Sequence, residues 1–465
     1  MLKKIIKDIY IKSPVWFQNT IISVYGYQLM KQRYGTVYRD TFKALISKQY
    51  DQYDLAVKEQ NELLVIFLNY AVNHSPFYKE LYKDIDIRTI TTIDDLKALP
   101  IVDKEDFRAH IEDVYTIEKD EGINSFTGGT TGKSLEVRFD KEDMERRMAY
   151  LDAFKYRAGI KDLFKVRKAT FSGRDLIHNS NTKIFWRYNA AYKQRLYSTF
   201  HLSEDNIPLY IADMNKFKPE VINGFVSAIY ELAHFIHRNK ISLSFVPKAI
   251  FTTSETLLPF HRSLIEDVFN AKIYNQYASA EGAPFITECL QGNLHYNLDT
   301  GVIETSNSLN GIEDNQMIVT SFTTKGTPLI RYNIEDLVHF EEGVCSCGSC
   351  HPIVSRIEGR KVEYLLSGMN GKISLSHLAD VIKGIPNSVK KIQFIQDDIN
   401  KIKIKIAIDK DLFEKDHEDK ILKEMAYRFG ASTQFHVQYV ADIPREKSGK
   451  YALIKNTMNS KKPTP

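Results

Sequence analysis

The sequence SFTGGTTGKS, residues 125–134, decides the predicted fold together with LEVRFD at 135–140. Because glycine lacks a Cβ atom, its backbone can turn tightly and bring amide groups close to an anion. Threonine hydroxyls supply further hydrogen-bond donors, and Lys133 supplies a positive charge. LEVRFD has the pattern of a strand. We therefore predict a phosphate-binding loop that leads directly into a strand.

A P-loop is the main alternative for this segment. That motif requires a glycine, four residues and then Gly-Lys-Ser/Thr, with a helix after the lysine. Here Thr127 occupies the position of the first glycine, and a strand pattern follows Lys133. The spacing and the following element both exclude a P-loop. A polar hairpin turn without a ligand remains the other interpretation.

Strand and helix patterns alternate around this loop, from about residue 120 to 345. One example is AIFTTSE at 249–255, followed by PFHRSLIEDVFN at 259–270. Such alternation predicts an α/β domain with a largely parallel sheet. Residues before about 115 read as helices; LAVKEQNELLVIFLNYAVNH at 55–74 has apolar positions at helical spacing.

The pattern changes after about residue 359. KIKIKIAID at 401–409 alternates lysine with isoleucine, which predicts a strand, and DLFEKDHEDKILKEMAYRFG at 411–430 predicts a helix closed by glycine. We therefore predict an α/β protein with two domains. Residues 1–359 form a large multi-layer α/β domain with a helical portion at 1–115, and residues 360–465 form a small α+β domain.

The composition narrows the class of function. Lys+Arg of 63 against Asp+Glu of 59 gives a net charge of +4, too balanced to indicate a nucleic-acid partner. No run of about 20 apolar residues occurs, so no transmembrane segment is expected. There are four cysteines, three of them within six residues, and no recognisable signal peptide, which favours a cytoplasmic protein. Residues 1–35 alternate lysine with apolar residues, which fits a segment packed on the domain or a helix peripheral to the inner membrane face.

The cysteines suggest a metal site. Five residues separate Cys289 from His295, and Cys345, Cys347 and Cys350 follow within a short segment. Two short loops that each supply Cys or His ligands suit a closed, tetrahedral structural Zn²⁺ site. Cys350 or His351 could replace one ligand, and reduced buried cysteines are the alternative.

The glycine-rich segment resembles the Ser/Thr-Gly-rich-Lys signature of the adenylate-forming superfamily of acyl-CoA ligases, adenylation domains and luciferases. Further segments resemble its motifs in the same order: TTSE (252–255), QYASAEG (276–282), RYNIED (331–336), IEGR (357–360) and PREKSGK (444–450). NHSPFYKELY and PEVINGFVSAIYELA resemble the phenylacetate–CoA ligase-like branch, most closely the capsular polysaccharide biosynthesis (CapK-type) proteins. The resemblance implies a large adenylation domain and a mobile C-terminal domain.

The resemblance also implies roles for individual residues. Tyr277 would stack on adenine, Asp336, with Glu335 as its alternative, would accept hydrogen bonds from the ribose, and Glu281 would help to hold Mg²⁺. Lys450 would neutralise charge as a carboxylate attacks the α-phosphate. The implied catalytic residues are Lys450, Glu281 and Lys133. The implied ATP/AMP-binding residues are Thr127, Gly128, Gly129, Thr130, Thr131, Gly132, Lys133, Ser254, Glu255, Tyr277, Ala278, Ser279, Glu281, Asp336 and Arg360.

Zinc-binding relatives of this branch imply the ligand set Cys289, His295, Cys345 and Cys347. The expected cofactors are thus ATP/AMP, Mg²⁺, structural Zn²⁺ and CoA.

The function implied is ATP-dependent activation of a small-molecule carboxylic acid through an acyl-adenylate, with release of pyrophosphate and transfer to a thiol such as CoA. An amide-forming ligase of surface polysaccharide synthesis, with an amine or sugar as acceptor, is the alternative. A non-catalytic nucleotide-binding relative is a third, against which Lys133, Glu281, Asp336 and Lys450 argue. A homodimer is compatible with the sequence.

Overall fold

The computed structural model describes residues 10–127, 135–174, 176–177, 182–306, 315–358, 364–369, 371–374, 378, 381, 388–430, 432–446 and 449–458. Within these ranges the α-helices are α1 (Val15–Arg33), α2 (Thr36–Ser47), α3 (Tyr53–His74), α4 (Pro76–Leu81), α5 (Lys104–Ala109), α6 (Ile111–Val114), α7 (Lys141–Arg157), α8 (Ile207–Phe217), α9 (Val226–Arg238), α10 (Pro259–Phe269) and α11 (Lys415–Phe429). Short 3₁₀ helices span Ile87–Thr89, Ile93–Ala98, Ala190–Tyr192 and Leu298–Thr300.

The β-strands of the described ranges are β1 (Ile123–Phe126), β2 (Glu136–Phe139), β3 (Lys168–Ser172), β4 (Trp186–Asn189), β5 (Gln194–Ser198), β6 (Val221–Gly224), β7 (Ala249–Thr252), β8 (Ile273–Tyr277), β9 (Ile286–Glu288), β10 (Leu294–Tyr296), β11 (Gly301–Thr305), β12 (Gln316–Ser321), β13 (Leu329–Glu341), β14 (Ile353–Glu358), β15 (Tyr364–Ser367), β16 (Gly371–Ser374), β17 (Val389–Asp398), β18 (Lys401–Ile408), β19 (Gln434–Tyr439) and β20 (Ile454–Asn456). None of the helices in the described part of the chain is long and apolar enough to cross a membrane.

Contacts divide the chain into two compact units. The first draws on Met1–Lys168, Arg187–Gln194 and Tyr274–Ile357. The second draws on Ala169–Trp186, Arg195–Ile273 and Glu358–Pro465.

The first unit is built on antiparallel pairing. Its strands follow the order β11-β12-β13-β14-β10-β9-β8, and β9 pairs antiparallel with both β8 and β10. Helix α3 covers this unit's core, because Leu64, Phe67, Leu68 and Ala71 recur at helical spacing and are all buried. The structure thus brings the end of β8 and the middle of β13 into one layer of the unit.

A short extended segment fixes the start of α5 in this unit. Val102 donates its backbone N–H to the carbonyl of Arg331 and accepts one from Asn333, which lie on either side of Tyr332 in β13. Asp103 then caps α5, since its side chain accepts hydrogen bonds from two backbone amides of the first turn. Lys104 is therefore held at a fixed place beside β13.

The second unit contains parallel strands and the C-terminal sheet. Its strands β7-β6-β3-β5 are neighbours in that order, and β6 and β7 run parallel. The C-terminal sheet has the order β19-β18-β17-β20, and α11 supplies Ile421, Met425 and Phe429 to its core. Along β18, Ile402, Ile404 and Ile406 are buried, whereas Lys401 and Lys403 are exposed.

The predicted α/β fold class and the α+β character of the C-terminal part are confirmed. The expected parallel pairing occurs between β6 and β7, but it is wrong for β8–β14, where the register pairs are antiparallel. The reason is the short connection between successive strands there, since a parallel crossover requires a dozen or more residues, whereas a hairpin needs few.

Candidate functional site

The glycine-rich segment connects two paired strands. β1 and β2 are antiparallel, and buried Thr127 extends their pairing because its N–H donates to the carbonyl of Leu135 at 3.0 Å. The Thr127 hydroxyl also accepts the Leu135 amide at 2.9 Å. Both ends of the predicted phosphate loop are thereby fixed. Six predicted loop residues lie outside the described residues: Gly128, Gly129, Thr130, Thr131, Gly132 and Lys133.

A tight turn follows Tyr277 at the end of β8. The Ser279 hydroxyl accepts hydrogen bonds from the amides of Gly282 and Ala283 at 3.1 and 3.0 Å. Gly282 has φ +102°, and a Cβ atom there would lie 2.5 Å from Cγ2 of Thr324. The turn therefore requires glycine at 282 both for its conformation and for space.

A buried arginine stabilises the turn that contains Gly282. Arg147 of α7 donates to the carbonyl of Gly282 at 2.9 Å and to the Thr323 hydroxyl at 2.8 Å. Its guanidinium lies 4.4 Å from the ring centroid of Phe285, and burial lowers its pKa to about 10. The sequence prediction missed Arg147. The available signal was a charged residue at helical spacing between buried Met144 and Phe154.

The turn directs Glu281 into the interior. Glu281 is 2% exposed, and its carboxylate lies 3.5 Å from Nζ of Lys104, which is also buried. A buried charge is costly unless an opposite charge or a ligand accompanies it. The sequence prediction missed Lys104 as well, because a lysine in the first turn of a short helix is ordinarily exposed.

Tyr277 and Asp336 meet although they are far apart in sequence. The Tyr277 hydroxyl donates to Oδ2 of Asp336 at 2.6 Å. Between Gln316↔Leu337 and Ile318↔Asn333, β13 has more residues than β12, so it bulges. The bulge exposes Glu335, which has φ +69°. The structure thus brings Asp336, and not Glu335, to Tyr277.

The TTSE motif lies in the second unit, at the end of β7. Ser254 has φ +67°, and the carboxylate of Glu255 accepts hydrogen bonds from the amide and hydroxyl of Ser227 at 2.7 and 3.0 Å. Glu255 therefore satisfies the N-terminus of α9. It also accepts the amide of Tyr451 at 3.2 Å, which places it next to the Lys450 segment.

Lys450 follows a turn that is fixed inside the second unit. The Lys450 carbonyl accepts the amide of Glu446 at 2.9 Å. Gly449 has φ +79°, and a Cβ there would lie 2.7 Å from Cα of Gly173, so this turn approaches β3 very closely. Arg445 pairs with Glu231 of α9 at 2.6 Å. Together these contacts set the place of Lys450 within the unit.

Glu358 of the predicted hinge motif is buried at the end of β14. Arg360, which the motif implied to contact the nucleotide, lies outside the described residues.

Four cysteine and histidine side chains converge in the first unit. The potential ligand atoms of Cys289, His295, Cys345 and Cys347 all lie within 4.8 Å of one another. The sulfurs of Cys289 and Cys345 are 3.8 Å apart, and Sγ of Cys347 lies 3.5 Å from Nε2 of His295. A tetrahedral Zn²⁺ with Zn–S bonds of about 2.3 Å and Zn–N bonds of about 2.0 Å requires separations of about 3.8 and 3.5 Å. The donor set therefore fits zinc.

The surroundings of the cluster favour metal binding further. His295 donates from Nδ1 to the carbonyl of His351 at 2.9 Å, which leaves Nε2 as the ligand atom. Burial opposes ionisation of the Cys345 thiol, but a hydrogen bond from Asn293 at 3.2 Å helps to lower its pKa to about 6. Among the described residues, the alternatives Cys350 and His351 do not belong to this group of converging ligand atoms.

A zinc ion at this site would join two separate segments of the first unit. Cys289 and His295 belong to the β9–β10 hairpin, whereas Cys345 and Cys347 belong to the connection between β13 and β14. The hairpin pairs with β8, which carries Tyr277, and β13 carries Asp336. A zinc ion would thus link the supports of both residues.

The fold of this chain is similar to that of solved CoA ligase structures. A crystal structure of 2-hydroxyisobutyryl-CoA ligase in the postadenylation state with R3-HIB-AMP matches with a TM-score of 0.68 at 15% identity, over 89% of this chain and 92% of that chain. A structure of the same ligase with 2-HIB-AMP and CoA in the thioesterification state matches with a TM-score of 0.54, over the same shares. The chain therefore has the fold of the adenylate-forming CoA ligases.

Sequence relatives narrow the class. Protein CapK of Staphylococcus aureus is 37% identical over 454 residues, covering 97% of this chain and 99% of the relative. Phenylacetate-coenzyme A ligase of Thermus thermophilus is 21% identical, covering 85% of this chain and 95% of the relative. Residues 365–457 match the family model of the CapK C-terminal domain. The chain belongs to the CapK family, as the sequence motifs predicted, whereas the domain boundary near residue 360 stays a prediction.

We predict that the purified protein contains about one zinc ion per chain. Cys345→Ser should release it and lower the melting temperature, because bound metal stabilises the folded state. Elemental analysis and thermal unfolding measure the two effects. Cys350→Ser is the matched control and should keep both the metal and the melting temperature. Equal zinc contents in the two variants would contradict the assigned ligands.

Proposed function

We propose that this protein is an ATP-dependent, AMP-forming ligase that activates a carboxylic acid. A carboxylate oxygen of the acid attacks the α-phosphorus of ATP, the bond to the β-phosphate oxygen breaks, and pyrophosphate leaves. The product is an acyl-adenylate. A nucleophile then attacks the acyl carbonyl, loses its proton, and releases AMP. Adenylation is required because a free carboxylate is a poor acyl donor.

The contact between Tyr277 and Asp336 is the observation that carries this proposal. It joins an aromatic ring to a carboxylate at 2.6 Å, and each residue lies in a motif of the family. An aromatic ring suits stacking on adenine, and a carboxylate can accept both ribose hydroxyls.

Glu281 is the residue that would hold Mg²⁺. A single buried carboxylate fits this ion when substrate phosphates supply other ligands, since Mg²⁺ usually binds one or two protein carboxylates. The ion would screen the negative charges of the phosphates and the incoming carboxylate. Lys104, 3.5 Å from Glu281, would balance this carboxylate before the ion and nucleotide bind and add positive charge beside the phosphates afterwards.

The proposed catalytic group of the second unit is Lys450. Its ammonium group would stabilise the charge that develops on the α-phosphate during attack. The Gly449 turn, and the pair between Arg445 and Glu231, hold the adjoining backbone in place. Such fixed positioning is what electrostatic stabilisation requires, because a mobile charge must first be ordered.

Two classes of acceptor follow from the relatives. The 2-hydroxyisobutyryl-CoA and phenylacetate-coenzyme A ligases favour CoA, whose thiol sulfur would form a thioester. The second candidate is a ligase of surface polysaccharide synthesis in which an amine or sugar hydroxyl attacks the adenylate. It rests on the motif resemblance to capsular polysaccharide biosynthesis proteins, and the 37% identity to CapK supports it only loosely. We favour CoA because both ligases that match the fold and the sequence carry it in their names.

Purified protein with Mg²⁺ and ATP should release pyrophosphate when supplied with its acid. A panel of aryl, short-chain, fatty, amino and uronic acids, read by a coupled pyrophosphate assay, identifies the substrate class. Adding CoA should then yield a thioester by mass spectrometry, whereas amine or sugar acceptors yield amides or esters. Complete absence of adenylate across the panel, with ATP still bound, would overturn the enzyme proposal in favour of a nucleotide-binding relative.

Lys450→Ala should slow adenylate formation by about 10² to 10³-fold, the usual effect of removing one preorganised stabilising group. ATP affinity should change little, because the charge is needed mainly in the transition state. Single-turnover adenylation and equilibrium ATP binding separate the effects. Lys423→Ala, on the exposed side of α11, is the control. An unchanged adenylation rate would remove Lys450 from the mechanism.

Asp336→Asn should raise KM for ATP by about tenfold, because an amide replaces a charged acceptor of the ribose hydroxyls. KM for the acid should stay the same. Glu335→Gln is the matched control, since this neighbouring carboxylate is exposed. Steady-state kinetics with each substrate varied in turn give both constants. A larger effect at Glu335 than at Asp336 would reverse the assignment of the ribose ligand.

A further inference from the structure

Helix α1 is attached to the first unit by its polar side chains. Gln18, Asn19 and Ser23 accept hydrogen bonds from the segment 187–190, and the two backbone donors lie 2.9 Å from their acceptors. Gly26 lies against the same segment, where a Cβ atom would meet Asn189 at 2.4 Å. One face of α1 therefore packs closely against the 187–190 segment and is held there by polar groups.

A second side of α1 carries large apolar residues that are exposed. Trp16, Val24 and Tyr27 are 68%, 55% and 55% exposed. Together with Thr20 and Lys31, they follow the spacing of i, i+4, i+8, i+11 and i+15, which places them on one side of a helix. The helix thus turns Gln18 and Gly26 toward the rest of the unit and presents Trp16, Val24 and Tyr27 to solvent. Large exposed apolar residues on one rigid face indicate an interaction surface.

The charges in α1 and in the sequence just before it are mostly positive. Lys12 and Lys31 are exposed near its two ends, and Val15–Arg33 contains no acidic residue. The preceding sequence adds Lys3, Lys4 and Lys7, together with one acidic residue, Asp8. Tryptophan and tyrosine favour the boundary between lipid headgroups and acyl chains, and lysines beside them attract anionic headgroups. Self-association through this face would bring like charges together.

We propose that the exposed face of α1, defined by Trp16, Thr20, Val24, Tyr27 and Lys31, docks the protein on an anionic lipid bilayer. The helix lies parallel to the membrane surface. Trp16, Val24 and Tyr27 enter the headgroup region, while Lys12 and Lys31 contact lipid phosphates. Because the 187–190 segment already holds α1 in its helical form, binding requires no folding of the helix.

The full-length protein should sediment with vesicles of phosphatidylcholine and phosphatidylglycerol, and much less with phosphatidylcholine alone. Added salt should release it, since screening weakens attraction between exposed charges. Lys12→Gln with Lys31→Gln should lower partitioning by about fivefold per lysine. Trp16→Ser with Tyr27→Ser should lower it by about tenfold or more.

A matched control lies on α11, where Lys423 and Tyr427 are both exposed. Lys423→Gln with Tyr427→Ser makes the same kinds of change and should leave vesicle binding unaltered. Fluorescence gives a second readout, because the chain has 2 tryptophans. In Trp186→Phe, the emission of Trp16 should shift to shorter wavelength when anionic vesicles are added.

Three results would overturn the lipid proposal. Vesicle binding could be absent, or it could be equal for neutral and anionic vesicles. It could also be unchanged by the Trp16→Ser, Tyr27→Ser double substitution although circular dichroism shows an intact fold. A dimer in analytical ultracentrifugation that this double substitution dissociates would instead assign the face to a second copy of the chain.

Discussion

The arrangement of the first unit depends on the buried guanidinium of Arg147. It donates to the carbonyl of Gly282 and to Thr323, and it packs against the ring of Phe285. Burial disfavours its charge and lowers its pKa, so these contacts are needed to keep it inside. In return, the arginine fixes a turn whose glycine has no room for a side chain. Because the backbone conformation of this turn is fixed, the Glu281 side chain points into the interior.

The antiparallel strands of this unit extend the same constraint to distant residues. β8 ends at Tyr277, whereas Asp336 stands in a bulge of β13, and a hydrogen bond of 2.6 Å joins them. The cluster of Cys289, His295, Cys345 and Cys347 lies where the β9–β10 hairpin meets the connection after β13. A metal there would affect nucleotide binding only indirectly, by fixing the strands that carry Tyr277 and Asp336. Its removal should therefore disturb the fold and the proposed ribose contact together.

The sequence predicted most of the local structure, because alternation and helical spacing are strong signals over long segments. Ile402, Ile404 and Ile406 of the KIKIKIAID strand are buried, as predicted. Asp336 could be aligned to a motif, but only the β13 bulge shows why it, and not Glu335, reaches Tyr277. Lys104 and Arg147 could not be placed from sequence, since their burial depends on partners more than a hundred residues away. The role of a residue within a sequence motif can be predicted, whereas the burial of a charged residue by distant parts of the chain cannot.

Helix α1 shows why a sequence pattern can leave two interpretations open. Apolar and aromatic residues occur on all sides of this helix, so periodicity alone does not tell which side packs and which is exposed. The hydrogen bonds of Asn19 and Ser23 to the 187–190 segment decide it, because they hold that side of the helix against the rest of the unit. The two interpretations, a helix packed on the domain and a helix on a membrane surface, are therefore compatible. Each describes one face of α1, and the exposed Trp16 face is the one that remains for a lipid surface.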